Sequence, residues 1–80
     1  MLSFREFNAA TLDDRQMAVE ENGEFVLRQV FDDNMVKLYT YNGFFVECIY
    51  SNELDILKNI QAIEFLEAAE KYISLEDKLD

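Results

Sequence analysis

The sequence predicts an α+β fold: an antiparallel β-meander of three to four strands with an N-terminal helix and a C-terminal helix. Three observations carry this. Asn42-Gly43 lies between two runs rich in Val, Ile, Phe and Tyr, the strongest short hairpin signal, because both central residues of a type I′ turn need positive φ. Asp32-Asp33-Asn34 separates the first of these runs from a third, EFVLRQVF. Helix-forming stretches flank the three runs on both sides.

Taken in chain order, Ser3 with Glu6 three positions later has the capping-box pattern and opens either a short helical turn or a mobile end. Thr11 is a better cap. Asp13 and Asp14 follow it and complement the positive end of the helix dipole. That helix runs through Val19 and Glu20 until Asn22-Gly23 stops it, with Gly23 free to take the left-handed conformation.

The strands EFVLRQVF, MVKLYTYN and FFVECIYS come next. A two-residue loop at Asn42-Gly43 sets Tyr41 opposite Phe44, Tyr39 opposite Val46, Leu38 opposite Glu47, Lys37 opposite Cys48 and Val36 opposite Ile49. A second two-residue loop at Asp33-Asn34 sets Phe31 opposite Val36 and Arg28 opposite Tyr39. One face then holds Phe25, Leu27, Phe31, Val36, Leu38, Phe45 and Ile49, with Gln29, Thr40 and Glu47 among them. The other holds Val26, Val30, Tyr39, Tyr41, Phe44, Val46, Cys48 and Tyr50, with Arg28 and Lys37. A three-residue first loop turns the first strand over.

Residues 66–73 (LEAAEKYI) read as helix, with Leu66, Ala69 and Ile73 along one side. Residues 56–65 fit two readings. Ile56, Ile60 and Ile63 have helical spacing, and composition leans that way. As a strand, Ile56, Ile60 and Ala62 alternate with Leu57, Ile63 and Phe65. Residues 74–80 are a charged end expected to fray.

Composition narrows the function classes. Eighty residues make one domain. A single cysteine, Cys48, leaves no internal disulfide, and the absence of histidine excludes Cys/His zinc sites and every histidine-assisted nucleophile. No enzyme activity and no cofactor are expected. Asp13 with Asp14, Glu20 with Glu21, and Asp32-Asp33 with Asn34 lack the spacing of a calcium loop, so no metal is expected. A net charge of −10 with no basic cluster argues against nucleic acid and anionic membranes as partners. The amino end lacks the apolar run of a secretory signal. With a lone thiol, this points to the cytoplasm. Cys48 has no basic sequence neighbour to activate it.

The stretch VKLYTYNGFFVECIY, the Ile-rich segment ending near Phe65 and LEAAEKYI together resemble a group of small uncharacterised bacterial proteins met chiefly in Bacteroidetes. The resemblance spans about residues 19–73 and is one of pattern and size. It implies a fourth strand before a short terminal helix, and no activity, ligand or site. The chain departs from that pattern in lacking a Pro-containing turn after Tyr50.

Two features are candidates for function. Tyr39, Tyr41, Phe44, Val46 and Tyr50 form an aromatic sheet face, either a surface for a protein partner or a second copy of the chain, or core beneath the C-terminal helix. Glu47 lies within an apolar strand, either a perturbed carboxylate of functional use, or a residue at the sheet's rim or one paired with Lys37 or Arg28 in a different register. The partner reading makes the protein an interaction module that binds another protein or forms a homodimer. The competing reading is an acidic inhibitor that occupies a basic protein surface, which requires folding to gather the acids on one side.

Overall fold

The computed structural model describes residues 1–73. The expectation for residues 74–80 lies outside these, as does the side chain of Ile73. The element order is α1 (Phe4–Ala9), α2 (Leu12–Asn22), β1 (Glu24–Phe31), β2 (Asn34–Tyr41), β3 (Phe44–Ser51), β4 (Leu57–Ile63) and α3 (Phe65–Ala68), which runs into a π-helical turn, Ala69–Ile73. The four strands form one antiparallel meander in the order β1-β2-β3-β4. This is the α+β architecture expected from the sequence.

Both N-terminal helices are capped as their sequences indicate. The Ser3 hydroxyl accepts from the Glu6 amide, and the Glu6 carboxylate accepts from the Ser3 amide, completing the capping box. Thr11 caps α2 by accepting from the Asp14 amide. Gly23 ends α2, but its backbone is extended at φ −80° and ψ 146°, not left-handed. The reason for glycine is space. Its N–H bonds the Val19 carbonyl, and a Cβ there would lie 2.6 Å from that same oxygen.

The β2–β3 hairpin has the register set by Asn42-Gly43, with Tyr41 opposite Phe44 through Val36 opposite Ile49. Both turn residues have positive φ, 47° and 84°. The first hairpin turns one residue earlier than expected, at Asp32-Asp33, with Asp32 at φ 51°. Phe31 therefore pairs with Asn34 instead of Val36, and Arg28 with Lys37 instead of Tyr39. The shift amounts to two positions in the pairing, so it moves no side chain to the other face. A β-bulge at Val26 does. Beyond it Phe25 pairs with Tyr39 and meets its ring edge-on at 5.7 Å, on the face opposite to the one expected. Val26 changes sides as well and lines a cleft beneath α3 with Leu27 and Leu38.

Residues 57–63 resolve as strand. Pairing with β3 overrides the helical composition: Ile60 and Ala62 enter the core on the tyrosine face, and Ile63 enters it on the face that carries Glu47. The segment after it is helical for one turn and then widens into the π-turn. Ala68 and Tyr72 face the sheet, whereas Leu66, expected on the inner side, is exposed.

The sheet thus has two coverings. On the tyrosine face, Phe7 of α1 and Val19 of α2 join Tyr41, Val46, Cys48, Ile60 and Ala62 in one cluster. Fully burying Phe7 contributes roughly 1.5–3 kcal/mol. On the glutamate face, Ala68 and Tyr72 join Val36, Leu38 and Ile63 in a second cluster. No helix of the described residues is long and apolar enough to cross a membrane.

Candidate functional site

The expected aromatic surface divides in two. Tyr41 is only 2% exposed and Val46 0%, so they are core and do not present themselves to a partner. The covering element is α1, not the C-terminal helix. The Phe7 ring packs 5.4 Å from Tyr41 and 5.9 Å from Phe44, and Phe4 meets Phe44 edge-on at 5.5 Å. The Tyr41 hydroxyl accepts from the Leu2 amide at 2.8 Å, and the Asn42 side chain donates to the Leu2 carbonyl at 2.9 Å. These bonds fasten the chain's start to the β2–β3 hairpin. Tyr39 and Tyr50 remain half-buried. Burial pushes both phenols above their ordinary range, reinforced by the neighbouring Cys48.

On this face α1 and α2 pack on β4, and α2 on one part of β2, but neither packs extensively on β1, whose other face meets Tyr72 through Phe31. The tyrosine face is therefore open along β1. Phe25 is 58% exposed and Val30 51%. Between them Arg28 stands directly across from Lys37, two like charges on one face. The Lys37 ammonium lies over the Tyr50 ring, 5.2 Å from its centroid. Arg28 makes no hydrogen bond or ion pair among the described residues.

The two edges of the sheet differ in the same sense. On β4, the Asn8 amide accepts from the Ala62 N–H at 3.0 Å and donates to the Ala62 carbonyl at 3.5 Å, imitating a neighbouring strand. Arg15 donates to the carbonyls of Ile60 at 2.7 Å, Asn8 at 2.7 Å and Ala10 at 3.0 Å. Among the described residues no comparable cap touches β1, which is the other edge of the sheet. Sequence reasoning missed Asn8 and Arg15. Their role depends on the angle at which α1 and α2 meet the sheet, and no spacing signals it.

Glu47 is buried to 0% exposure at the centre of the opposite face. It pairs with neither Lys37 nor Arg28, which point the other way, and it is not at a rim. Its Oε1 accepts from Gln61 at 2.7 Å, and its Oε2 accepts from Lys71 at 2.7 Å and from the Tyr72 hydroxyl. Burial acts to raise the Glu47 carboxyl, but the bonds from Lys71, Tyr72 and Gln61, with the Lys71 charge, outweigh it. They hold the group below its ordinary 4.5. Tyr72 is pushed upward by burial and by donating to this carboxylate. Every buried side-chain oxygen and nitrogen of the described residues is bonded, so Glu47 is a satisfied anchor for the C-terminal segment.

The remaining candidates have structural places. Asp13 and Asp14 lie in the first turn of α2, and Asp32 and Asp33 form the hairpin turn. Burial pushes the Cys48 thiol up to about 11, with Lys37 opposing it weakly. Exposed acids lie on α2, at the first hairpin and on α3, elements that cover both faces. Comparison with protein-family models, with curated proteins and with solved structures finds no match.

Proposed function

We propose that this chain is a small protein-interaction module whose docking surface is the open β1 side of the sheet. The observation that carries this reading is the contrast of edges: β4 is capped by Asn8 and Arg15, while β1 leaves its backbone uncovered beside exposed Phe25 and Val30. An unpaired edge flanked by apolar side chains is a ready template for an added strand. Tyr39 and Tyr50 of the expected surface belong to this site, while Tyr41, Phe44 and Val46 lie beside them on the same face, packed with Phe7 of α1. The alternative, an acidic inhibitor with its charge gathered on one side, gains nothing from acids spread over both faces. A lone buried thiol, Cys48, fits a reducing compartment such as the cytoplasm.

The test is site-specific photo-crosslinking in the chain's own cells. A photoreactive phenylalanine analogue replaces Val30 in one variant and Lys58, on the β4 edge, in another. A discrete adduct from the Val30 position and none from the Lys58 position is expected. Equal adducts, or adducts at Lys58 alone, would refute the reading.

A further inference from the structure

The free stretch of β1 is short and symmetric. Phe31 and Asn34 flank a two-residue loop and exchange hydrogen bonds, so the backbone groups of Gln29 turn to β2 and those of Arg28 and Val30 face the open edge. The bulge at Val26 interrupts the strand on one side, and the left-handed Asp32 ends it on the other. Both lie equally far from Gln29, so residues 27–31 form an unbroken edge centred on it. Arg28 and the exposed Val30 lie on one face of this edge, and Leu27, Gln29 and Phe31 on the other.

Resting on the reading of β1 as the docking side, we propose that its occupant is a second copy of this chain. The two β1 strands run antiparallel about a two-fold axis at Gln29 and join two four-stranded sheets into one. Arg28 of each copy pairs with Val30 of the other, and each such pair exchanges both of its backbone hydrogen bonds. Gln29 faces Gln29 on the axis, where the two side-chain amides bond each other. Leu27 faces Phe31 on either side of them. Both already pack against the cluster of Val36, Leu38, Ile63 and Tyr72, so the pairing continues that apolar layer from one copy into the next.

Self-pairing that keeps the outward backbone groups in phase is centred on Arg28, Gln29 or Val30. Centred on Arg28, it sets Arg28 against Arg28 and Val30 against the bulge. Centred on Val30, it sets Arg28 against the turn at Asp32. Centred on Gln29, it avoids both, matches apolar with apolar residues, and leaves the two Arg28 residues only diagonal, about 7–8 Å apart. It also brings the exposed turn of each copy, Asp32-Asp33, alongside Arg28 of the other, which lacks an ion pair among the described residues. Arg28 and Lys37 of one copy thus meet two acids of the other, and the seam is balanced in charge although each chain carries −10. The symmetry of the free edge about one residue selects a second copy over an unrelated strand.

A seam of this length is small, so the dimer is weak and its test spans concentration. Sedimentation of the whole chain from about 10 µM to about 1 mM should pass from monomer to dimer. Amide shifts and exchange protection should grow over the same range at Arg28 and Val30 and not at Ala62. Gln29→Cys places two thiols on the axis at a non-hydrogen-bonded pair, where the Cα spacing suits a disulfide. With copper-phenanthroline it should oxidise to a covalent dimer about tenfold or more faster than Lys58→Cys on β4. Val30→Pro removes an outward N–H that β1 does not use in its own sheet, and should weaken pairing about tenfold or more while the fold is kept. A chain monomeric to about 1 mM overturns the inference. So do equal oxidation at both cysteines and concentration-dependent shifts centred on β4. If Val30 cross-links an unrelated protein while the chain stays monomeric, the second copy falls and the docking side stands. A monomeric chain with adducts at neither position removes both.

Discussion

The two halves of the sheet are built to different standards. The β3–β4 half is fastened by polar groups from two directions: Glu47 to Gln61, Lys71 and Tyr72 on one face, and Asn8 and Arg15 along the edge. In the β1–β2 half, β2 is tied by Tyr41 to the Leu2 amide and by Asn34 to Lys58, and no side-chain hydrogen bond of the described residues ties β1. This half carries an exposed Phe25, Val26 and Val30 and an unrelieved cation pair. The difference teaches where this small domain spends its few polar anchors. They hold one edge shut and leave the other available. Edge strands are usually blunted, and the edge left bare beside an apolar surface is the reason for proposing β1 as the docking side.

The largest expected effect tests the fastened half. Glu47→Ala leaves Tyr72 and Gln61 without their buried acceptor and should cost about 3 kcal/mol in urea unfolding. If the loss is under about 1 kcal/mol, the C-terminal segment is not anchored there. Next comes Arg15→Ala, which strips three carbonyls of their donor. It should cost about 2 kcal/mol, with new exchange at β4. Asn8→Ala should cost about 1 kcal/mol, and its sharper signature is hydrogen exchange. The Ala62 amide, protected in the wild type by Asn8, should then exchange as fast as those of Arg28 and Val30. Protection at Arg28 and Val30 in the dilute, unpaired wild type would erase the contrast of edges.

The smallest effect is at the open edge. Arg28→Ala should change stability by no more than about 0.5 kcal/mol, with a slight gain from relief of Lys37. Acid provides a further check. Because Glu47 is held below its ordinary 4.5, its contribution is fully present above that value and is lost as pH falls through the depressed one. Acid unfolding of the wild type should therefore be steeper than that of Glu47→Gln, measured by circular dichroism.

Much of the fold was legible because it is local chemistry. Asn42-Gly43 encodes the β2–β3 register outright, since few residue pairs accept two successive positive φ angles. Thr11 and Ser3 mark their helix starts through bonds that span only three residues. The first hairpin was less legible: Asp32, Asp33 and Asn34 all tolerate turns, and nothing in their side chains chooses among two-residue loops. The bulge at Val26 was not legible at all, because Phe25 and Val26 are both apolar and fit either face. The candidate surface was half legible for the same reason. Alternation grouped Tyr39, Tyr41, Phe44, Val46 and Tyr50 correctly on one face, but alternation carries no information about what lies over it.

By itself, the sequence determined the class of fold, the central hairpin register and which side chains of β2 and β3 share a face, because those follow from turn dihedrals and a period of two. Tertiary structure decided that α1 covers Tyr41 and Val46, that Lys71 and Tyr72 come to Glu47, and that Asn8 and Arg15 close one edge while β1 stays open. Each of those pairings joins residues far apart in the chain. Their meeting depends on the packing angle of one element on another, which no local pattern of residues encodes.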